Sequence, residues 1–211
     1  PRRRLDVRGL NHVLEVNAAA GWVDAEAMTP YAALADATLA HGVMPCVVPQ
    51  LKSITLGGAV AGVGIESSSF RHGLVHDTVL ELDVLLADGT VALARPDNEH
   101  RDLFFAFPNS YGTLGYALRV KAKAVPVKRY VRLQHQPFAD AERYFAALGE
   151  QLRAGDADFV DGTVFSPREM VLTTGRFADD APYTSDYTFE HIYYRSLREK
   201  REDFLTVHDF I

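Results

Sequence analysis

The chain has 211 residues, enough for one large domain or for one domain and part of a second. Its hydrophobic content of 47% and charged content of 24% are typical of a folded protein. The formal net charge of -6 argues against nucleic acid as a partner, because phosphate contacts require clustered Lys and Arg. No apolar run reaches the ~18 residues that a membrane helix requires, so we expect no transmembrane segment. The pattern of predicted elements starts abruptly at Pro1 and stops abruptly at Ile211, and we therefore expect a fragment of a longer chain.

The first third of the chain predicts paired strands, a helix and a long loop. Residues 5–28 alternate apolar and polar side chains around a turn at 19–21, which favours two strands. In the helix that follows, Thr29 is the expected N-cap, Pro30 the first helical residue and Gly42 the C′ glycine. The segment 44–70 holds too many prolines and glycines for a regular element, and we expect a long loop there.

The middle and the end of the chain predict two separate sets of elements. A hairpin with the turn Asp88-Gly89 precedes a short helix at 101–107 and a strand at 116–126. The composition changes near 125–128, where we place a domain boundary. Beyond it we expect a strand at 130–138, a helix at 140–153, strands at 159–163 and 170–174, and a charged, solvated helix from Arg195 to Asp203. The expected inward face of the 140–153 helix is Tyr144, Phe145, Leu148 and Leu152, packed on Val131, Leu133, Val160 and Val164.

The strongest functional signal is the glycine-rich segment 54–73, read ITLGGAVAGVGIESSSFRHG. Its glycines are expected to take positive φ angles and to expose successive N–H groups, which form an anion site suited to a pyrophosphate. No Lys or Arg lies between Ser53 and Ser69, so amide dipoles and hydroxyl groups would have to hold the anion. The alternative is a glycine-rich surface loop that binds nothing.

The order of motifs around this segment resembles the FAD-binding domain of vanillyl-alcohol-oxidase-type flavoenzymes. T-x-G-G at 55–58, the serine run at 67–69, A-D-G at 87–89 and G-T-L-G at 112–115 occur in that order. The resemblance implies an α+β fold. Residues 1–126 would be a PCMH-type FAD-binding domain, with mixed sheets and flanking helices, that lacks its N-terminal part. Residues 127–211 would begin an α/β substrate (cap) domain.

The same resemblance implies the cofactor and its contacts. T-x-G-G would wrap the FAD pyrophosphate, G-T-L-G would line the other side of the dinucleotide, and Glu66 would point towards a ribose hydroxyl or a flavin N–H. FAD would be held non-covalently by this part of the chain. The implied cofactor-binding residues are Thr55, Leu56, Gly57, Gly58, Gly62, Gly64, Ile65, Glu66, Ser67, Ser68, Ser69, Gly112, Thr113, Leu114 and Gly115.

A narrower resemblance is to the sterol Δ24-reductases, through GIESSS, ADGTV, YGTLGY and FVDGTVFS. It implies an FAD-dependent oxidoreductase that reduces a C=C bond of a sterol-like or isoprenoid substrate, with NADPH as the electron source. It also implies a location in the cytoplasm or on the cytosolic side of a membrane, with peripheral membrane contact allowed. Two alternatives stay open: an FAD-dependent oxidase or dehydrogenase of an alcohol in the same superfamily, and a cofactor-free scaffold. The catalytic proton donor is not assigned.

Other reactive residues are expected to play structural roles. Cys46 would be a buried thiol rather than a flavin attachment point. We expect no metal site at His72 and His76. The aromatic cluster Tyr183, Tyr187, Phe189, Tyr193 and Tyr194 is expected in a core or an interface rather than along a substrate path. The basic residues 2–4 are expected to have no role.

Overall fold

The computed structural model describes residues 5–187 and 192–211. Residues 2–4 and Phe189 therefore lie outside the described residues. The chain divides between Pro126 and Val127 into two compact units, here called the N-terminal unit and the C-terminal unit. Both combine helices with an antiparallel sheet, which confirms the predicted α+β class. Among the described residues, no helix has the length and apolar character to cross a membrane.

A six-stranded sheet forms the N-terminal unit. Its main path has the order β1-β2-β6-β4-β5, and β3 also pairs with β6. The long strand β6 is central, and its described pairings with β2, β3 and β4 are all antiparallel where we expected a mixed sheet. The strands are β1 Val13–Asn17, β2 Trp22–Glu26, β3 Val43–Pro45, β4 Val79–Leu85, β5 Val91–Ala94 and β6 Tyr116–Pro126. The Asp88-Gly89 turn connects β4 to β5 as predicted, with Gly89 at φ 90°.

Short helices accompany this sheet: α1 Tyr31–Leu39, α2 Leu56–Ala61, α3 Ser69–His72 and α4 Arg101–Ala106. Helix α1 begins one residue later than predicted, with Pro30 rather than Thr29 as its N-cap. The Thr29 hydroxyl donates instead to the carbonyl of His12. The Tyr31 N–H donates to the carbonyl of Ile54, so main chain from the glycine-rich segment caps this helix.

One face of the sheet forms the apolar core, because alternate residues of a strand point to the same side. Val23, Leu82 and Val120 are fully buried there, one on each of three adjacent strands. Charged residues occupy the other face. The Arg119 guanidinium donates to Asp24 at 2.8 Å and also contacts Glu81. This cluster links β2, β4 and β6 across the sheet.

The C-terminal unit is a four-stranded antiparallel sheet with the order β10-β7-β9-β8. Its elements are β7 Tyr130–Phe138, α5 Ala141–Ala154, β8 Phe159–Ser166, β9 Glu169–Ala178, α6 Tyr193–Ser196, β10 Glu202–Thr206 and α7 Val207–Phe210. Helix α5 agrees with its prediction. Asp140 caps its first turn, accepting from the N–H groups of Glu142 and Arg143, and Gly155 ends it at φ 64°.

The predicted packing face of α5 is wrong in part. Tyr144 is buried and Leu148 is partly buried, but Phe145 and Leu152 are exposed, as is Val164 on β8. The residues that meet the helix are Phe138, Val160, Met170 and Leu172. Val131 and Leu133 lie an odd number of residues before Phe138 on β7, so the alternation of the strand places them on the face of the sheet opposite α5.

The predicted charged helix at 195–203 is also wrong. Helix α6 ends at Ser196, and β10 begins at Glu202. Asp203 is completely buried and accepts hydrogen bonds from Ser185 at 2.6 Å and from Lys200 at 3.0 Å. Burial alone would raise the pKa of Asp203, but these hydrogen bonds and one from Tyr187 outweigh it and lower the pKa. The charges of this segment thus include an ion pair between a buried carboxylate and a half-buried lysine.

The aromatic cluster of the C-terminal unit is divided between the interior and the surface. The rings of Tyr187 and Tyr193 meet edge to face, with centroids 5.3 Å apart. Tyr183 and Tyr194 are exposed. The packed pair agrees with the expected core or interface role.

Candidate cofactor site

The glycine-rich segment contains a helix where we expected a loop. Helix α2 covers the sequence LGGAVA, and Thr55 is its N-cap, accepting from the Gly58 N–H. Glycine is a poor helix former, so the sequence disfavoured this element. Tertiary packing overrides the low propensity: Leu56, Ala59 and Val60 are buried, and at Gly57 the helix lies so close to Ala27 that a side chain would not fit.

The glycines in and just after α2 are explained by how closely the backbone approaches neighbouring residues, not by unusual backbone angles. None of Gly57, Gly58, Gly62 and Gly64 has a positive φ angle, contrary to our expectation. A Cβ atom on Gly57 would lie 2.8 Å from the Cβ of Ala27 and 3.4 Å from that of Ala117. A Cβ on Gly64 would lie 2.9 Å from Val75. The glycines bring α2 against the ends of β2 and β6.

The first N–H groups of α2 are already bonded within the protein. Leu56 donates to the carbonyl of Thr29, Gly57 donates to that of Ala27 at 2.7 Å, and Gly58 donates to the Thr55 hydroxyl. The expected row of exposed amides is therefore not present at these positions. An anion placed here would have to compete with bonds that hold α2 to its neighbours.

Positive φ angles are instead concentrated in the second glycine segment, residues 109–115, which contains G-T-L-G. Asn109 and Tyr111 have φ angles of 59° and 49°, and Gly112 and Gly115 have 81° and 149°. At Gly115 a side chain is excluded, since a Cβ would lie 2.7 Å from the carbonyl oxygen of Leu85. At Gly112 no atom lies within 4 Å of the Cβ position. This loop turns the chain into β6 while leaving open space beside Gly112.

The two glycine segments meet at one cavity of about 340 Å³. Four of the predicted residues lie on α2 or at its two ends, and two lie on the second segment. The other lining residues come from α2, the residues just after β2, the residues after α4 and the start of β6. The lining residues are Ala27, Met28, Thr55, Gly57, Gly58, Ala61, Gly62, Phe107, Tyr111, Gly112, Gly115, Tyr116 and Ala117. The cavity is therefore lined mostly by small and apolar residues, and none of its lining residues is charged.

The other predicted site residues do not line this cavity. The Ser68 hydroxyl is buried and donates to the carbonyl of Cys46 at 2.7 Å. The Ser69 hydroxyl accepts from the N–H of Glu66, and the Glu66 carboxylate accepts from the N–H of Gln50 at 2.5 Å. These three residues thus bond to the protein itself. Of the remaining predicted residues outside the lining, Leu56 is in the core, whereas Ile65 and Leu114 are exposed.

Sequence reasoning missed the aromatic and small apolar walls. Met28 and Phe107 line the cavity and belong to none of the quoted motifs. Tyr111 and Tyr116 also line it, and although they are the end residues of YGTLGY, they were not among the predicted site residues. Tyr111 and Tyr116 directly flank G-T-L-G, so the adjacent tyrosines were the available signal. Phe107 and Met28 reach the cavity only through the tertiary fold.

Cys46 is buried, as expected for a structural thiol, and burial raises its pKa to about 11. A thiol in this state is a poor nucleophile, which disfavours a covalent bond to a flavin.

The cavity fits the uncharged portion of a dinucleotide cofactor. Apolar walls with a few hydroxyl and amide groups are typical of cofactor sites. Thr55 places a hydroxyl at one end, and the glycines allow a flat ligand to approach the backbone closely.

Comparison with known proteins identifies the family. A family model described as FAD binding domain matches residues 4–94, which include β1 to β5 and the whole of α2. The Δ24-sterol reductase of Pisum sativum is 39% identical over 144 residues, which is 63% of this chain. That of Homo sapiens is 34% identical over 167 residues, or 74% of this chain.

The chain belongs to the PCMH-type FAD-binding flavoprotein superfamily. Cytokinin dehydrogenase 7 of Oryza sativa subsp. japonica is also similar, with 33% identity over 156 residues, or 71% of this chain. The resemblances inferred from the sequence, to the superfamily and to the sterol reductases, are thereby confirmed. The matched parts cover 25% of the Pisum sativum protein, 32% of the human one and 30% of the Oryza sativa one. The chain thus spans a quarter to a third of the relatives it matches.

Proposed function

We propose that this chain is the cofactor-binding part of an FAD-dependent oxidoreductase, followed by the beginning of its substrate (cap) domain in residues 127–211. One observation carries the proposal. Two glycine segments that are separated in the sequence by β4, β5 and α4 converge on one uncharged cavity, within the family matched by the FAD-binding model. The chemistry that FAD supplies when bound is hydride transfer. The protein residues provide binding, orientation and exclusion of water.

Each group of cavity residues has a distinct part in holding the cofactor. Thr55 offers a hydroxyl, since its oxygen accepts from Gly58 and its proton remains available to a ligand. Gly57 and Gly58 set the depth of the cavity floor, and Phe107 and Met28 exclude water from it. Gly112 leaves room beside the second wall. Ser68, Ser69 and Glu66 bond to main-chain groups of the protein and, like Ser67, do not line the cavity.

We propose a sterol-like or isoprenoid alkene as substrate and NADPH as the electron source. The support is the similarity to two Δ24-sterol reductases, which also covers residues in the C-terminal unit. A small hydrophobic substrate of this kind is consistent with peripheral contact with a membrane on its cytosolic side. A second candidate is an FAD-dependent dehydrogenase or oxidase of a different substrate, which the similarity to cytokinin dehydrogenase 7 favours.

One anaerobic experiment separates these functions. The full-length protein is mixed with NADPH while the visible absorbance band of the flavin is followed, and then an alkene or oxygen is added. Bleaching by NADPH and recovery on addition of a sterol alkene are expected. Bleaching only by an alcohol or amine substrate would favour the second candidate. A purified protein that takes up no flavin would overturn both and favour a scaffold.

A further inference from the structure

A second cavity, here called the C-terminal cavity, lies within the C-terminal unit and has a volume of about 360 Å³. This volume is within the roughly 300–1,000 Å³ of small-molecule sites. Polar side chains form most of its wall: Gln134, Gln136, Gln151, Thr174, Arg176 and Arg201 line it, beside the apolar Leu172. None of the described residues that line it is an aspartate or a glutamate, although the chain as a whole has a net charge of -6.

The C-terminal cavity lies where the sheet face beneath α5 changes from apolar to polar. Leu172 on β9 packs in the core beneath α5, whereas Thr174 and Arg176, which continue the same alternation, are polar. Thr174 is paired with Gln134 in the register of β9 and β7, and both residues line the cavity. The last turn of α5 reaches the same cavity through Gln151. Polar groups that are covered in this way require hydrogen-bond partners.

Two buried polar groups at the C-terminal cavity have no such partner in the part of the chain that the structure describes. Thr174 is 8% exposed, and its hydroxyl makes no hydrogen bond there. The Oε1 atom of Gln151 is buried and also makes none. Buried polar groups in proteins are nearly always hydrogen-bonded, so a ligand with hydroxyl groups would complete both.

Arg201 gives the C-terminal cavity an unpaired positive charge. Its guanidinium donates to the carbonyl of Lys200 at 3.5 Å, and no carboxylate of the described residues forms a salt bridge with it. Arg176, by contrast, is already paired, since it donates to the Asp156 carboxylate at 2.6 Å and to the Gln134 Oε1 at 3.2 Å. Because that oxygen accepts from Arg176, the NH₂ group of Gln134 remains a donor for a ligand. The cavity thus offers a free cation and neutral donors to an anion.

We propose that the C-terminal cavity binds a phosphorylated sugar, with Arg201 and the Gln134 amide donating to the phosphate and Gln151 accepting from a sugar hydroxyl. A phosphate monoester has three terminal oxygens, which match donors on several sides of a cavity better than a planar carboxylate does. An apolar ligand would leave the Thr174 hydroxyl and the Gln151 carbonyl without partners.

Two sources share this ligand chemistry: the 2′-phosphorylated ribose of NADPH, which is the electron source proposed above, and a free sugar phosphate. The inference itself does not depend on FAD binding, because every residue that carries it lies in the C-terminal unit.

Calorimetric titration of the full-length protein tests this inference. The probes are ribose 5-phosphate and adenosine 2′-monophosphate, each compared with its unphosphorylated counterpart, ribose or adenosine. At least one phosphorylated probe is expected to bind with a Kd below about 1 mM and at least tenfold more tightly than its counterpart, because charge-assisted hydrogen bonds are the strong ones. Arg201→Gln is expected to weaken that probe by about tenfold. Arg198→Gln, which removes an arginine of the same segment that does not line the cavity, is the control and should not change its affinity.

Gln151→Leu separates the contact with the sugar from the contact with the phosphate. It is expected to weaken the phosphorylated probe by about fivefold and to leave the affinity for inorganic phosphate unchanged. It should not lower the melting temperature, because it removes a buried acceptor that has no partner in the unliganded protein. Arg201→Gln, in contrast, should weaken inorganic phosphate as well.

The probes also distinguish the two sources of the ligand. Tighter binding of adenosine 2′-monophosphate than of ribose 5-phosphate supports the site and identifies NADPH as the source, and the reverse order supports it with a free sugar phosphate. Equal binding of the phosphorylated and unphosphorylated probes, or an unchanged phosphate affinity in Arg201→Gln, would overturn the inference. A wild-type protein that binds no phosphorylated probe would also overturn it and would leave the proposed FAD-binding function intact, because the flavin content is measured separately. Melting temperatures of all variants verify that they are folded.

Discussion

Replacing Gly57 with alanine tests whether close approach is the reason for the glycine pair. The new Cβ would lie 2.8 Å from the Cβ of Ala27 and 3.0 Å from its carbonyl oxygen, so α2 must move away from the end of β2. Alanine would otherwise stabilise a helix by about 1 kcal/mol relative to glycine. Overpacking of a tight contact costs about 1–3 kcal/mol. The expected net result is a loss of about 1 kcal/mol in the free energy of unfolding, with weaker FAD binding.

Gly58→Ala is the matched control in the same turn. Its Cβ would lie 2.8 Å from the Thr55 hydroxyl, a side-chain atom that can rotate away. Loss of that cap costs about 1 kcal/mol, which the helix propensity of alanine offsets. The net change in stability is therefore expected to be close to zero.

Urea denaturation of wild type and both variants, with linear extrapolation to water, measures these differences. The loss at Gly57 should lower the melting temperature of a domain of this size by roughly 4 °C. Equal stability of the two alanine variants would refute the argument, because it would mean that α2 adjusts to a Cβ at either position at the same cost. Unchanged FAD affinity in Gly57→Ala would refute the link between this contact and the cavity.

Three further predictions concern buried polar groups. Ser68→Ala removes the donor to the Cys46 carbonyl and should cost about 1–3 kcal/mol in urea denaturation, whereas Ser67→Ala should cost less than ~0.5 kcal/mol. Asp203→Asn removes the anionic partner of Lys200, which is partly exposed, and weakens the hydrogen bonds to the buried carboxylate, so it should lower the free energy of unfolding by about 1–3 kcal/mol. In the wild type the contribution of the Asp203 carboxylate is present above about pH 4 and is lost below it, because its pKa is lowered in the folded state. Burial lowers the pKa of His135, so the unfolded state takes up its proton first and stability should fall as the pH drops below about 6.5. As the pH is lowered from 8 to 5, the melting temperature of His135→Gln should fall less than that of the wild type. The melting temperature of His41→Gln, which changes an exposed histidine, should fall as much as that of the wild type.

The sequence was sufficient where local signals and the tertiary structure agree. The Asp88-Gly89 hairpin and the Asp140 cap of α5 are examples, since turn and cap residues determine both. It failed where packing overrides propensity. Gly57 and Gly58 disfavour a helix in isolation, yet both lie in α2, and at Gly57 the neighbouring Ala27 and Ala117 leave no space for a Cβ atom.

The motifs predicted which two glycine segments form the site, but they did not predict the apolar and aromatic residues that line it. Both glycine segments reach the cavity, because motif order reflects a shared fold. Phe107 was not predicted, because its position at the cavity depends on contacts distant in sequence. In the C-terminal unit, Asp203 was misjudged for a related reason: alternating charges indicate a solvated surface, whereas this carboxylate is buried and pairs with the half-buried Lys200.

The burial of Cys46 makes the chain's single thiol a natural reporter of local opening. With a pKa of about 11, only roughly one thiol in ten thousand is ionised at pH 7, so a thiol-reactive probe acts on the closed state very slowly. Modification then proceeds mainly through openings that expose Cys46. Because the Cys46 carbonyl is bonded to Ser68, the labelling rate would follow local opening of the contact between Cys46 and the serine run without any engineered label.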